Sequence, residues 1–288
     1  MLHLAGAQAA VVYKQLVYRG NKTYAGFPHA DITVWYAPTG RIAHQIDVDD
    51  DTTTYGAWSP ANITLWFRLQ EPLKEAPAVD NHYILKWGNP TPAVLQNWAH
   101  IYPFQDRFTG SAINRSKWVE DGNPDLSFDG SAVTISGGSG NHQIASIPTF
   151  GTGYLSTMFG LLRPTNSVQH IAKFDEWNYA SVPDNHWQND GHRWRLDQYA
   201  GTSQNNVYAD GHNDLHFHQF GLARDATGLL HGFLDGKEYT APARFPDIDT
   251  FSVACDVYNG TDTNPMTMKV QWVKVRPWMS REPAATLE

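Results

Sequence analysis

The sequence predicts an all-β protein of two tandem antiparallel β-sandwich domains, and three observations lead there. Short runs of alternating apolar and polar residues, bounded by turn residues, recur along the chain: Asp31 to Tyr36, Ile63 to Leu69, Tyr83 to Trp87, Ala132 to Ile135, Leu155 to Leu161 and Met268 to Val275. Helical periodicity is almost absent, the exception being Met1 to Leu16, read as an N-terminal arm or short helix that runs into a strand at Val11-Val12-Tyr13. The length, 288 residues, suffices for two cores, and Pro90, Pro92 and the polar stretch to His100 interrupt the strand pattern. The predicted domains are therefore 1–100, an N-terminal β-sandwich module with its arm, and 101–288.

Composition narrows the function classes. Charged residues are only 17% against 41% hydrophobic, so the surface is built largely from Asn, Thr, Ser, Gln and Gly, as in secreted or virion-exterior β proteins. A net charge of −8 with no basic run argues against nucleic acid as a partner, because phosphate binding needs Lys and Arg to release counterions. Nothing approaches the ~20 apolar residues of a helical membrane span, so no membrane insertion is expected. Residues 1–10 carry no basic start and read as no classical signal peptide. The single cysteine, Cys255, excludes an intrachain disulfide and sits in the alternating run Phe251 to Val257, where it reads as a small buried apolar residue.

The order of features in 29–92 is specific: His29-Ala30-Asp31-Ile32-Thr33-Val34, a return at Thr39-Gly40-Arg41-Ile42, then Trp58, Thr64-Leu65-Trp66-Phe67-Arg68-Leu69 and Tyr83-Ile84-Leu85-Lys86-Trp87-Gly88-Asn89-Pro90. This resembles the bacterial and archaeal surface-protein module called domain of unknown function 2341. Proteins with that module commonly continue into a concanavalin-like domain. Its features have counterparts in Phe104-Gln105-Asp106-Arg107-Phe108, Ser116-Lys117-Trp118, the hairpin Leu234-Asp235-Gly236-Lys237 and the closing Val270-Gln271-Trp272-Val273. The resemblance implies a concanavalin A-like lectin/glucanase or laminin-G-like jelly roll for the second domain, as in bacterial surface and phage virion proteins. Such matches specify architecture better than activity.

Three constellations are candidates for chemistry. The aromatic segment with Trp177, Tyr179, Trp187, Arg193, Trp194 and Tyr199 suits sugar binding, because aromatic faces stack on sugar rings and Arg bonds hydroxyls; the same residues also read as core or subunit interface. His212, His216, His218 and His231 fall within twenty residues. If Asp225 to Gly228 forms a hairpin turn, His216, His218 and His231 share a face, a weak metal site set against a hydrogen-bonded histidine ladder. Acidic residues from Asp47 to Asp51 leave a structural divalent cation open, with no other cofactor expected. Glycosidases of the concanavalin fold need two carboxylates on one strand face, and the adjacent Asp175-Glu176 point to opposite faces.

No catalytic residues are assigned on this reading. It expects a non-enzymatic structural or adhesive protein of a virion (decoration, fibre or spike) or of a cell surface, so virion or extracellular in location. Its partners would be a glycan or cell-surface polysaccharide, copies of itself or other surface proteins. The rivals are a glycan-cleaving enzyme of concanavalin-like fold and a purely assembly-forming protein without a ligand.

Overall fold

The computed structural model describes residues 2–5, 11–17, 23–24, 27–28, 33–47, 62–70, 79–86, 101–138, 140–162, 168–175, 185–189, 194–200, 203–209, 216–225, 227, 229–244, 250–259, 266–278 and 284–287. These form antiparallel sheets throughout, as the alternating runs predict. The chain divides into two compact units, one of residues 1–103 with 276–288 and the other of residues 104–275.

The first unit contains β1 (Leu2–Ala5), β2 (Val11–Val17), β3 (Thr23–Tyr24), β4 (Phe27–Pro28), β5 (Thr33–Tyr36), β6 (Gly40–Ile42), β7 (His44–Asp47), β8 (Asn62–Arg68) and β9 (Val79–Lys86). The last strand of the chain, which we number β25 (Ala284–Leu287), pairs antiparallel with β1. Two expectations change here. Residues 2–5 form strand β1 where an arm or short helix was expected, while the strand expected from Val11 is β2, and the first unit includes residues 276–288 as well as the first hundred. The sheet order is β25-β1-β9-β5-β6, beside a three-stranded β2-β8-β7 and a two-stranded β3-β4. The β5–β6 hairpin turns at Gly40, whose φ of 95° only glycine adopts without strain. Tyr83 joins the two larger sheets, its ring lying 5.0 Å from Tyr36 and 5.3 Å from Phe67.

The second unit is the sandwich. Its strands are β10 (Phe104–Asp106), β11 (Trp118–Asp121), β12 (Asp125–Phe128), β13 (Val133–Gly137), β14 (Gly140–Phe150), β15 (Tyr154–Leu162), β16 (Val168–Asp175), β17 (Asn185–Asn189), β18 (Trp194–Ala200), β19 (Ser203–Tyr208), β20 (His218–Arg224), β21 (Leu229–Leu234), β22 (Lys237–Arg244), β23 (Phe251–Asn259) and β24 (Met266–Pro277). An eight-stranded sheet runs β12-β13-β24-β15-β20-β21-β22, with β10 also on β24. A seven-stranded sheet runs β11-β14-β23-β16-β17-β18-β19. Val133, Ile135, Met158, Phe220, Leu222, Met268 and Val270 of the first pack with Ile144, Ile171, Leu196, Val253, Cys255 and Val257 of the second in one buried cluster. Burying one such side chain contributes ~1.5–3 kcal/mol.

The motif residues Asp106, Phe108 and Trp118 have a physical explanation. The Asp106 carboxylate accepts the Trp118 indole N–H at 2.9 Å through one oxygen and the Phe108 amide at 3.0 Å through the other. Phe108 has φ 49°, an unusual conformation for a bulky residue, held by that amide bond and by its ring against Trp118. The hairpin motif is equally concrete. Leu234 pairs with Lys237 across Asp235 and Gly236, whose φ values of 49° and 79° are those of a type I′ turn.

Asp106→Ala removes the acceptor for two buried donors, so we expect a stability loss of about 1–3 kcal/mol. Urea unfolding checks this, with Phe220→Ala, at about 3–5 kcal/mol, as the core reference. An Asp106→Ala midpoint equal to wild type would remove the latch from the account.

Candidate functional site

Alternation sorts the seven-stranded sheet into two faces. On β23, Phe251, Val253, Cys255 and Val257 belong to the buried cluster, which turns Ser252, Ala254 and Asp256 to the outer face. On β18 Leu196 is in the core, so Arg195 and Asp197 take outer-face positions. On β16 Ile171 is in the core, so its neighbour His170 takes the outer face.

The cross-strand register then links these positions into one row. Asp121 pairs with Gln143, Gln143 with Asp256, Asp256 with His170, His170 with Gln188, Gln188 with Arg195 and Arg195 with Tyr208. Every member is polar, and the row crosses all seven strands. Gln143 donates to the Asp121 carboxylate at 3.4 Å. Asp256 is fully buried although it faces away from the core, and Tyr208 at the far end is 40% exposed. Burial pushes the neighbouring Cys255 thiol up, and the Asp256 charge adds to the effect, so this thiol is no nucleophile at neutral pH.

A second row lies beside the first, with His186 opposite Asp197 and Asp197 opposite Asn206. Lys173, opposite Ala254, and Asp175, opposite Ser252, also hold outer-face positions. The face thus carries Asp121, Asp175, Asp197 and Asp256 at positions on four different strands. On β18 the residues two away from Asp197 are Arg195 and Tyr199, so this strand face presents no paired carboxylates.

The register separates the predicted sugar platform. Trp187 pairs with both Ile171 and Leu196, which is a core-face position, and Trp194, opposite Asn189, lies two residues from Leu196 on the same side. Tyr199 alternates to the outer face, opposite Gln204. Trp177, Tyr179, Arg193, Glu176, His212 and Asp49 to Asp51 lie outside the described residues.

The histidine cluster is corrected by one residue of register. The turn closes between Asp225 and Leu229, which places His231 opposite Ala223 and Phe220 opposite Leu234. His231 therefore lies on the face opposite Phe220, Leu222 and His218, since a one-residue slip exchanges faces. Each ring has a carboxylate instead of a metal partner set: His218 Nδ1 lies 2.6 Å from Asp235, His231 Nδ1 lies 2.6 Å from Glu238 and His231 Nε2 lies 3.5 Å from Asp225. His216 is exposed. Among the described residues no three His, Cys, Asp or Glu converge as metal ligands.

No known protein family matches the chain, and no curated protein does. Solved structures similar in fold include a GlcNAcα1-4Gal releasing endo-β-galactosidase from Clostridium perfringens, at 13% identity over 60% of this chain and 61% of that one, TM-score 0.49. A β-1,3-glucanase from Mycobacterium marinum aligns at 17% identity over 60% of this chain and 98% of that one, TM-score 0.46. An immunostimulatory antigen and pseudo β-1,3-glucanase of Mycobacterium tuberculosis aligns at 16% over 62% and 99%, TM-score 0.48. At these identities the likeness concerns the fold alone. These structures carry the names of glycosidases and glucanases, against the expectation of a non-enzymatic protein.

Burial works against the Asp225 carboxylate, but hydrogen bonds from Thr227, Leu229 and His231 outweigh it and hold its pKa below the ordinary value. Its stabilisation is complete above the unfolded carboxylate pKa of about 3.9 and is lost as pH falls through the lower folded value. We expect Asp225→Asn to be less stable than wild type at neutral pH and to lose less stability on acidification below about pH 4. Parallel urea titrations across that range test it; identical acid dependence of the two proteins would contradict it.

Proposed function

We propose that this protein is a glycan-cleaving enzyme that lays a polysaccharide across the outer face of its seven-stranded sheet. The observation that carries the reading is the continuous polar row from Asp121 to Tyr208. Seven strands at a spacing of ~4.8 Å give a strip of roughly 29 Å, long enough to hold several consecutive sugars. Asp121, Arg195 and Tyr208, the row members that reach solvent among the described side chains, offer donors and acceptors to sugar hydroxyls.

Cleavage, rather than binding alone, is favoured by the kind of groups on this face. His170, His186, Asp197 and Asp256 are residue types able to exchange protons, and all four hold positions on this face. The proposal places the active face on the seven-stranded sheet and assigns no glycan contact to the eight-stranded one.

A panel of neutral and acidic polysaccharides, followed by size-exclusion chromatography, tests the reading. We expect at least one polymer to be shortened, and Gln188→Trp to abolish shortening by filling the middle of the row. Ser127→Trp, an equally bulky change at an exposed position of the opposite sheet, is expected to leave it intact. Shortening that survives Gln188→Trp, or binding without shortening of any polymer, would contradict it.

A further inference from the structure

We infer that the five-stranded sheet of the first unit carries a second binding site, built on Arg41, Trp35 and Lys86, that takes an acidic polysaccharide. It lies on a unit that the glycan-cleaving reading leaves without a role, and binding there is measured without cleavage. Alternation defines the face. Val34, Tyr36, Ile42 and Tyr83 are buried, so the positions between and beside them on β5, β6 and β9 turn to the other side of the sheet. On that side Arg41 stands opposite Trp35, Trp35 opposite Ile84 and Thr33 opposite Lys86. Trp35, Ile84 and Arg41 are half-buried, and Lys86 is exposed.

The face presents apolar surface beside two cations. The Trp35 indole N–H donates to the Thr33 hydroxyl at 3.1 Å, so its polar group is already satisfied and the ring contributes apolar surface. The Lys86 ammonium lies 3.9 Å from the centroid of that ring, a cation–π contact that holds the charge beside it. Arg41 is the deciding residue. Its Nε is buried without a hydrogen-bond partner, and no carboxylate pairs with its guanidinium among the described residues. Burial pulls its pKa below the ordinary value, although an arginine remains charged at neutral pH. A partly desolvated cation without an internal counter-charge is completed by an anion from outside.

The mixture of surfaces selects the class of anion. A guanidinium matches the two oxygens of a carboxylate or sulfate with parallel hydrogen bonds. Trp35 and Ile84 meanwhile offer contact to C–H groups, which an inorganic ion lacks and a sugar ring has. Nucleic acid fits less well, because a phosphate backbone is gripped through about 6–10 contacts and the chain has a net charge of −8. One sugar on a single row is held weakly. A polymer presents many copies of the same acidic sugar, and its capture on the first unit raises its local concentration for the second.

Biolayer interferometry of the full chain on immobilised polygalacturonate, dextran sulfate, polyglutamate and neutral dextran tests the inference. The first two separate carboxylate from sulfate, and polyglutamate supplies charge without a sugar. We expect binding to at least one acidic polysaccharide, much weaker binding to polyglutamate and none to dextran. Arg41→Gln and Lys86→Gln should each weaken it about fivefold or more with unchanged circular dichroism. Lys237→Gln, which removes an exposed charge of the second unit, should leave it unchanged. Equal binding to polyglutamate, binding to neither acidic polysaccharide, or full binding by the Arg41→Gln, Lys86→Gln double variant overturns the site. Shortening of a polymer alongside any of these results leaves the glycan-cleaving reading intact, so the two fail separately.

Discussion

The alternation of β23 is the constraint on which the rest of the functional face depends. Val253, Cys255 and Val257 are essentially inaccessible and lie in the core of the sandwich. With a side-chain period of two, their burial leaves Asp256 no choice of face. The partner strands inherit the decision through register, Gln143 on one side and His170 on the other. Leu196 repeats the constraint three strands along the sheet and sends Arg195 outward with the others. A slip of one residue on any of these strands would exchange a charged residue for an apolar one in the core, at a cost of several kcal/mol. The core therefore specifies the polar row.

Around that core the sandwich is fastened by short-range carboxylate devices. Asp106 ties a strand end to the Trp118 indole, Asp225 closes the β20–β21 turn through three protons, and Asp235 begins a two-residue hairpin while accepting from Gln219 and facing His218. Each satisfies backbone donors that a tight turn would leave unpaired. Many of the chain's acidic residues thus have structural work, which explains why clusters of Asp and His in the sequence do not mark a metal site among the described residues. Asp129 is another instance: it pairs with Lys269 and accepts from Ser131 and Ala132, and the Lys269 ammonium above all holds its carboxyl well below the usual range.

Much of the architecture was legible in the sequence because strands and turns have local signatures. The runs at Ala132 to Ile135 and Met268 to Val275 became paired strands, and Gly40 and Asp235-Gly236 became the turns they resembled. The β1–β25 pairing was not legible, since it joins residues at opposite ends of the chain and no local pattern encodes a partner that distant. The site was legible only in its residue types. Trp187 and Trp194 stood out as aromatic, yet their faces follow from Ile171 and Leu196 on and beside the neighbouring strand. The histidine ladder failed on a single residue of turn length. Nothing local in the sequence marks that His170 stands opposite Asp256, 86 positions later.

A crystal structure of the protein with a bound oligosaccharide tests the central claim most directly. The account predicts the sugar lying on the outer face of the seven-stranded sheet. An oligosaccharide seated on the eight-stranded sheet would contradict it.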